Sequence, residues 1–290
     1  MTDRPITAAT RCAAVIGTPI RHSLSPVLFN AAFAASGLDW VFLAFEVPDG
    51  EAPTATAGVR SLGLDGLSVT MPHKTAIISA LDQLTDDAAE LGAVNCVARL
   101  GARLVGHNTD GAGLLDSLRI DEGIDIAGRS VVVVGAGGAA RAVTRALGGA
   151  GAGSVVVVNR SPERAERAAA LAGSVGAVAP PVSVADAEIV INATPLGMGI
   201  VTTTAGEPEP LPVDPGLLGP GQIYVDLIYH PPVTPMIAAA RERGARTVNG
   251  LGMLIHQAAH AFRLWTNEEP SLEAMSGAAL AALLHRPESD

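Results

Sequence analysis

The spacing of apolar positions changes several times along the chain. Residues 12–17 (CAAVIG), 40–47 (WVFLAFEV) and 65–71 (DGLSVTM) are short apolar runs that predict strands. SPVLFNAAFAASGL (25–38) and HKTAIISALDQL (73–84) repeat their apolar positions at helical intervals. AVNCVARLGARLVGHN predicts a hairpin turning at Gly101, and GAGLLDSLRI a further helix after Asp110. From Gly128 the order becomes strand, glycine turn, helix, strand in GRSVVVVGAGGAARAVTRALGGAGAGSVVVVNR. Val131 to Val134 and Val155 to Val158 are unbroken β-branched runs, the mark of parallel strands buried on both faces. Later strands are predicted at EIVINAT and QIYVDLIY, and two helices at MLIHQAAHAFRLW and SLEAMSGAALAALLHR. Residues 197–221 form a Pro- and Gly-rich stretch with little periodicity. The pattern contains no internal repeat and no heptads.

Composition narrows the class. A chain of 290 residues exceeds most single cores and implies two domains. With 48% hydrophobic and 17% charged residues it reads as a soluble globular protein. A net charge of -10 argues against a nucleic-acid partner, which needs a basic face. No apolar run approaches the roughly 20 residues of a membrane helix, so no membrane partner is expected. MTDRPITAATRCAAVIG lacks the features of a signal peptide. Cys12 and Cys96 lie in strand-like apolar runs, where a thiol acts as a small hydrophobe. Two such cysteines point to a reducing cytoplasm.

Candidate chemistry begins at the glycine turn. Gly135, Gly137 and Ala140 satisfy G-x-G-x-x-G/A after a strand and at the start of a helix, where backbone N–H groups can hold a pyrophosphate. A tight turn in another doubly wound fold would look similar. The next strand supplies more. NAD-preferring proteins end it with Asp or Glu, but VVVV here leads into Asn159, Arg160 and Ser161, with Arg164 one helical turn on. No carboxylate repels a 2′-phosphate and two guanidiniums can bind it, which favours NADP over NAD. The plainer readings are surface charge for Arg160 and an N-cap before Pro162 for Ser161.

Three more stretches place polar residues at the ends of strands, just before helices: HSLSP (22–26), SVTMPHK (68–74) and HNTDG (107–111). Helix capping by Ser25 or Asp110, or a turn at Thr70, accounts for any one of them. It does not account for Lys74, the single lysine beside 18 arginines. Lysine can release a proton near neutral pH when its surroundings shift it, and arginine cannot. A Lys and an Asp can exchange the proton that accompanies hydride transfer.

In order and spacing, GTPIRHSLSP, SVTMPHK, GAVN, HNTDGAG, GAGGAAR, NRSPERA, INATPLGM, DLIYHPPVTP and NGLGMLIHQAAHAF resemble the shikimate dehydrogenase family, from Gly17 to Phe262. The resemblance implies an α/β protein with an N-terminal α/β substrate-binding domain (1–111 and 250–290) and a Rossmann-type doubly wound NADP-binding domain (112–249). The C-terminal helices would pack back on the first domain. It implies NADPH-dependent reduction of 3-dehydroshikimate to shikimate, on the route to chorismate and aromatic amino acids. Carried over by position, Ser23 and Ser25 would bind the substrate carboxylate, and Thr70, Asn95, Tyr229 and Gln257 its carboxylate or hydroxyls. Lys74 and Asp110 would be the catalytic pair, also touching substrate. The loop Gly135, Ala136, Gly137, Gly138, Ala139 would hold the pyrophosphate, with Asn159, Arg160, Ser161 and Arg164 around the 2′-phosphate. Thr194, Leu227 and Gly250 would line the nicotinamide side, and Asp86 is a further cofactor-side candidate. No metal is implied, and assembly as a homodimer is left open. Two departures stand out. Ser68 replaces an Asn that often precedes Val-Thr-x-Pro, and Phe29-Asn30 replaces the commoner His-Asn; Phe29 is expected to alter packing rather than chemistry. The rival readings are a quinate or aminoshikimate dehydrogenase of the same fold and a non-catalytic NADP-binding regulatory module. Retention of both Lys74 and Asp110 argues against the last.

Overall fold

The structure, a computed structural model, describes residues 5–199 and 209–285. The chain forms two compact units, one from Met1–Thr109 with Ile255–Asp290 and the other from Asp110–Leu254.

In the first unit, β1 (Arg11–Gly17), α1 (Ser25–Ala35), β2 (Trp40–Glu46), α2 (Ala52–Leu62), β3 (Gly66–Val69), β4 (Gln83–Leu84), α3 (Asp86–Leu91), β5 (Cys96–Leu100) and β6 (Arg103–His107) follow in chain order. The strands make one sheet ordered β2-β1-β3-β5-β6-β4. β1 pairs in parallel with β2 and β3, while β5 runs antiparallel to β3 and to β6. The expected β5–β6 hairpin is present, with Gly101 at φ 63° in its turn. α1 buries Leu28, Phe29, Ala32 and Phe33 along one stripe, and Pro26 sits in its first turn, where a missing N–H costs nothing. Phe29 is fully buried and stacks on Phe42 at 4.3 Å. Beside it, the Asn30 amide accepts from the Phe42 N–H at 2.9 Å and donates to its carbonyl at 3.0 Å, tying α1 to β2.

The second unit continues through α4 (Asp110–Asp116), β7 (Ser130–Val134), α5 (Gly138–Gly149), β8 (Ser154–Val158), α6 (Pro162–Ala170), β9 (Gly176–Val178), β10 (Ile189–Asn192), β11 (Ile223–Asp226), α7 (Pro235–Glu242) and β12 (Arg246–Val248). All six strands are parallel, in the order β12-β11-β10-β7-β8-β9. The chain starts at the centre, winds out through β8 and β9, and returns to wind the other way. That is the doubly wound dinucleotide-binding order, and ligands bind such sheets where the order reverses, here at the ends of β7 and β10. The valine runs explain themselves by alternation. Val131 and Val133 pack with Leu114, Leu118, Val143 and Leu147 on one face. Val132 and Val134 pack with Tyr224, Met236 and Ile237 on the other.

Residues 255–285 rejoin the first unit as the rest of α8 (Leu251–Thr266) and α9 (Leu272–Leu284), and α9 packs on α1. Trp265 donates its indole N–H to the Val97 carbonyl at 3.0 Å. A Cβ on Gly66 would lie 2.5 Å from that indole, so this position is restricted to glycine. Among the described residues no helix is long and apolar enough to cross a membrane.

Several predicted elements need correction. HKTAIISALDQL is not an α-helix: only Ala76–Ala80 coils, as a 3₁₀ turn, and Gln83 and Leu84 are drawn off to pair with Val105 and Gly106. Tertiary pairing outweighs the local spacing there. GAGLLDSLRI is α-helical only to Asp116 and widens to a π-turn over Ser117–Asp121, against which Gly252 packs so closely that a Cβ would strike Ser117. The strand in QIYVDLIY stops at Asp226. α2, α3, α7, β9 and β12 were not anticipated. Of the expected loop 197–221, residues 200–208 lie outside the described residues, as do residues 1–4 of the stretch read for a signal peptide.

Candidate active site

In the first unit the polar residues sit on loops that leave the C-terminal ends of parallel strands. Ser23 and Ser25 follow β1; Thr70 and Lys74 follow β3. The two loops are joined by backbone bonds, Thr18 N–H to the Met71 carbonyl at 3.1 Å and Thr70 N–H to the Ile16 carbonyl at 3.0 Å. Gly17 permits this approach, since a Cβ would run into the Thr70 methyl group. The capping reading of Ser25 does not hold. α1 starts at Ser25 itself, its N-cap is Leu24, and no side chain caps it. The Ser25 N–H instead donates to Ser23 Oγ at 3.3 Å, bringing the two hydroxyl residues side by side.

Lys74 is half-buried, with its backbone held on both sides. His73 is fully buried, its Nε2 2.8 Å from the Val47 carbonyl, and its N–H closes a turn on Thr70 O. The Lys74 carbonyl accepts from Val94 N–H at 2.8 Å. One residue on, Asn95 is 3% exposed and anchors a buried network. Its Oδ1 accepts from Thr109 N–H at 2.8 Å, while Nδ2 donates to Thr109 Oγ1 at 2.9 Å and to Gln257 Oε1 at 3.3 Å. Thr109 Oγ1 donates to the Gln257 carbonyl at 3.1 Å. Both amides therefore have fixed orientations. Thr109, not singled out from sequence, ties Asn95 to Gln257; its signal was its place in HNTDG. Asp86 stands apart, exposed in the first turn of α3, where its charge suits the helix dipole.

In the second unit Asp110 opens α4 and is 4% exposed. The glycine turn fits a dinucleotide by three observations. Gly135 adopts φ +116°, and a Cβ there would lie 3.1 Å from the Ala193 carbonyl. Gly137, the N-cap of α5, has open space where a Cβ would stand. No side chain caps α5, and the uncapped start of a helix offers its first backbone N–H groups as donors to an anion. Asn159 donates to the Ser161 carbonyl at 3.1 Å, shaping the tip of β8, and Arg160 and Arg164 are exposed beside it. Ser161 is the N-cap of α6, but its side chain makes no capping bond. Arg141, another residue the sequence reading passed over, is half-buried in the first turn of α5; burial and then the Arg167 charge lower its pKa.

Thr194 and Leu227 follow β10 and β11, and Tyr229 lies on the loop to α7. Gly250 lies so close to Leu227 that any side chain would strike the Leu227 carbonyl. Behind these residues is a fully buried cluster of Asn192, Asp226, Thr234 and Tyr224. Burial pushes the Asp226 carboxyl up to about 6, against the opposing pull of bonds from Thr234, the Ile228 amide and Asn192. Burial and the neighbouring Asp226 push the Tyr224 phenol up as well. The sequence clue to this cluster is that polar residues end the otherwise apolar runs IVIN and IYVD. Among the described residues no cluster of His, Cys, Asp or Glu is placed to hold a metal ion.

Family models match in sequence along the chain: shikimate dehydrogenase substrate binding domain at residues 15–97, shikimate / quinate 5-dehydrogenase at 119–239, and shikimate 5′-dehydrogenase C-terminal domain at 250–280. A shikimate dehydrogenase (NADP(+)) of Moorella thermoacetica is 46% identical over 281 residues, covering 93% of this chain and 92% of the relative. Among solved structures, a shikimate dehydrogenase in complex with NADP+ is 35% identical with a TM-score of 0.87, covering 96% of this chain and 98% of its own. The Thermus thermophilus shikimate 5-dehydrogenase in complex with NADP(H) and shikimate is 36% identical with a TM-score of 0.84, covering 94% and 100%.

Proposed function

The chain belongs to the shikimate dehydrogenase family, and from that premise we propose how its residues perform the family's reaction. The protein is an NADP-dependent oxidoreductase acting on a CH–OH group, interconverting 3-dehydroshikimate and shikimate in aromatic amino acid biosynthesis. The observation that carries this reading is the 46% identity to an NADP(+) shikimate dehydrogenase over 93% of the chain.

NADPH, when bound, supplies the hydride. The residues that would hold it are the turn Gly135 to Ala139 at the pyrophosphate, Asn159, Arg160, Ser161 and Arg164 at the 2′-phosphate, and Thr194, Leu227 and Gly250 at the nicotinamide, with Asp86 as an outlying candidate. The uncapped start of α5 and the carboxylate-free tip of β8 support this assignment. Ser23 and Ser25 bind the substrate carboxylate through adjacent hydroxyls. Thr70, Tyr229 and the oriented amides of Asn95 and Gln257 fix the ring hydroxyls. Orientation of this kind lowers the barrier by removing rotational freedom before the chemical step. Lys74 donates the proton to the substrate oxygen as the carbonyl is reduced, and takes it back in the reverse direction. Asp110 is the second member of the catalytic pair, taking part in the proton exchange and hydrogen-bonding the substrate hydroxyl. A reducing cytoplasm suits Cys12 and Cys96, neither of which is in a disulfide.

The test is a comparison of rates with shikimate and quinate, each with NADP+ and NAD+. Fastest turnover with shikimate and NADP+ is expected. Faster turnover of quinate with NAD+ would overturn the assignment.

A further inference from the structure

We infer that Asn192 is a positioning residue for the nicotinamide end of the cofactor site, fixing Thr194 while Asp226 fixes Asn192. The inference rests on the assignment of Thr194 to the nicotinamide side. Asn192 and Asp226 are the last residues of neighbouring strands and are register partners. Both are fully buried where an apolar residue would continue the run, so each must regain by hydrogen bonding what it loses in hydration.

Every bonding position of the Asn192 amide is used. Its Oδ1 accepts from Thr194 N–H at 3.0 Å and from Thr194 Oγ1 at 2.6 Å. Its Nδ2 donates to Asp226 Oδ1 at 3.0 Å and to the Leu196 carbonyl at 3.3 Å. A carboxylate only accepts, so Asp226 dictates that the NH₂ group faces it and the oxygen faces Thr194. Asp226 is itself held by Thr234 Oγ1 at 2.8 Å and by Ile228 N–H at 3.2 Å. The consequence lies at Thr194. Its hydroxyl hydrogen is committed inward to Asn192, and one lone pair takes the Leu196 N–H at 3.3 Å. Toward a ligand the hydroxyl can then only accept, which selects an N–H donor such as the carboxamide NH₂ of a nicotinamide.

The experiment measures the NADPH dissociation constant by fluorescence, together with the KM for shikimate, in Asn192→Ala, Thr194→Val, the double variant and Asn192→Asp. Asn192→Ala and Thr194→Val should each weaken NADPH by about tenfold, as loss of one buried hydrogen bond implies. The KM for shikimate should stay within about twofold, and the double variant should be no weaker than either single one, because both act through one hydroxyl. Asn192→Asp sets two carboxyls 3.0 Å apart across the register pair. They must share a proton, so NADPH affinity should fall as pH rises and recover in acid, a profile a merely structural residue would not produce. Unchanged NADPH affinity in Asn192→Ala, or additive losses in the double variant, would overturn the inference. Should Asn192→Ala fail to fold, unchanged affinity in both Thr194→Val and Asn192→Asp would do the same. A wild-type protein that binds NADPH yet leaves shikimate untouched would overturn the functional reading instead, and the binding series would still decide this one.

Discussion

At the scale of single residues, the lone lysine carries the sharpest prediction. Lys74 stands beside a fully buried His73 and is bonded through its own carbonyl to Val94, so its backbone has little freedom to adjust to a new side chain. Lys74→Arg keeps the charge and removes the proton that can be released. Turnover of 3-dehydroshikimate should fall by roughly 10²–10⁴, the usual worth of a general acid, with the NADPH dissociation constant unchanged. Wild-type turnover in that variant would mean that position 74 need only be positive. Asp226 gives a second prediction, on stability. Its folded pKa of about 6 lies above the ordinary 3.8, so between those values the folded chain holds a proton that the unfolded chain has lost. Stability from this group is present below the lower value and is lost as pH rises toward the upper one. Two pKa units at 1.36 kcal/mol each make the loss about 3 kcal/mol. Denaturant unfolding of wild type and Asp226→Asn should show the wild type losing about that much relative to the variant between pH 4 and pH 7. A constant difference would contradict it. Residues such as Lys74 and Arg160 were legible in the sequence because their type was unexpected there. Asp226 and Asn192 were not, because their role depends on which strand ends lie side by side.

At the scale of elements, the strand–turn–helix of β7 and α5 was readable from its glycines, and the tip of β8 from a missing acid. Arg160→Ala should raise the KM for NADP+ by about tenfold to a hundredfold, the worth of a charge-assisted bond, and leave the KM for NAD+ nearly unchanged. Equal effects on both cofactors would remove Arg160 from the 2′-phosphate. Elements whose form depends on distant partners were misread. HKTAIISALDQL has helical spacing, but Asp82 N–H bonds the Leu104 carbonyl and Gln83 pairs with Val105, so the sheet takes its second half. α2 went unseen because ATAGVRS offers few apolar anchors; only Ala52, Thr56 and Val59 are buried. At Ser25 the plainer capping alternative is the one that fails: the residue is of a capping type, yet α1 begins at it and no side chain caps the helix.

At the scale of the whole molecule, the alternation of short strands with helices and the valine runs were enough to expect two α/β units and a parallel sheet. The antiparallel β5–β6 hairpin within the first sheet also followed from its turn residue. The strand order of either sheet did not follow from periodicity, because register partners such as Asn192 and Asp226 lie 34 residues apart. The proposed site residues divide between the two units: Ser23, Ser25, Thr70, Lys74, Asn95 and Gln257 lie in the first, and the glycine turn, Arg160, Arg164, Tyr229 and Asp110 in the second. The most direct measurement is NADPH consumption by the purified protein supplied with 3-dehydroshikimate, followed spectrophotometrically with product identified by chromatography. One shikimate should form for each NADPH consumed; NADPH binding without consumption would contradict the assigned reaction.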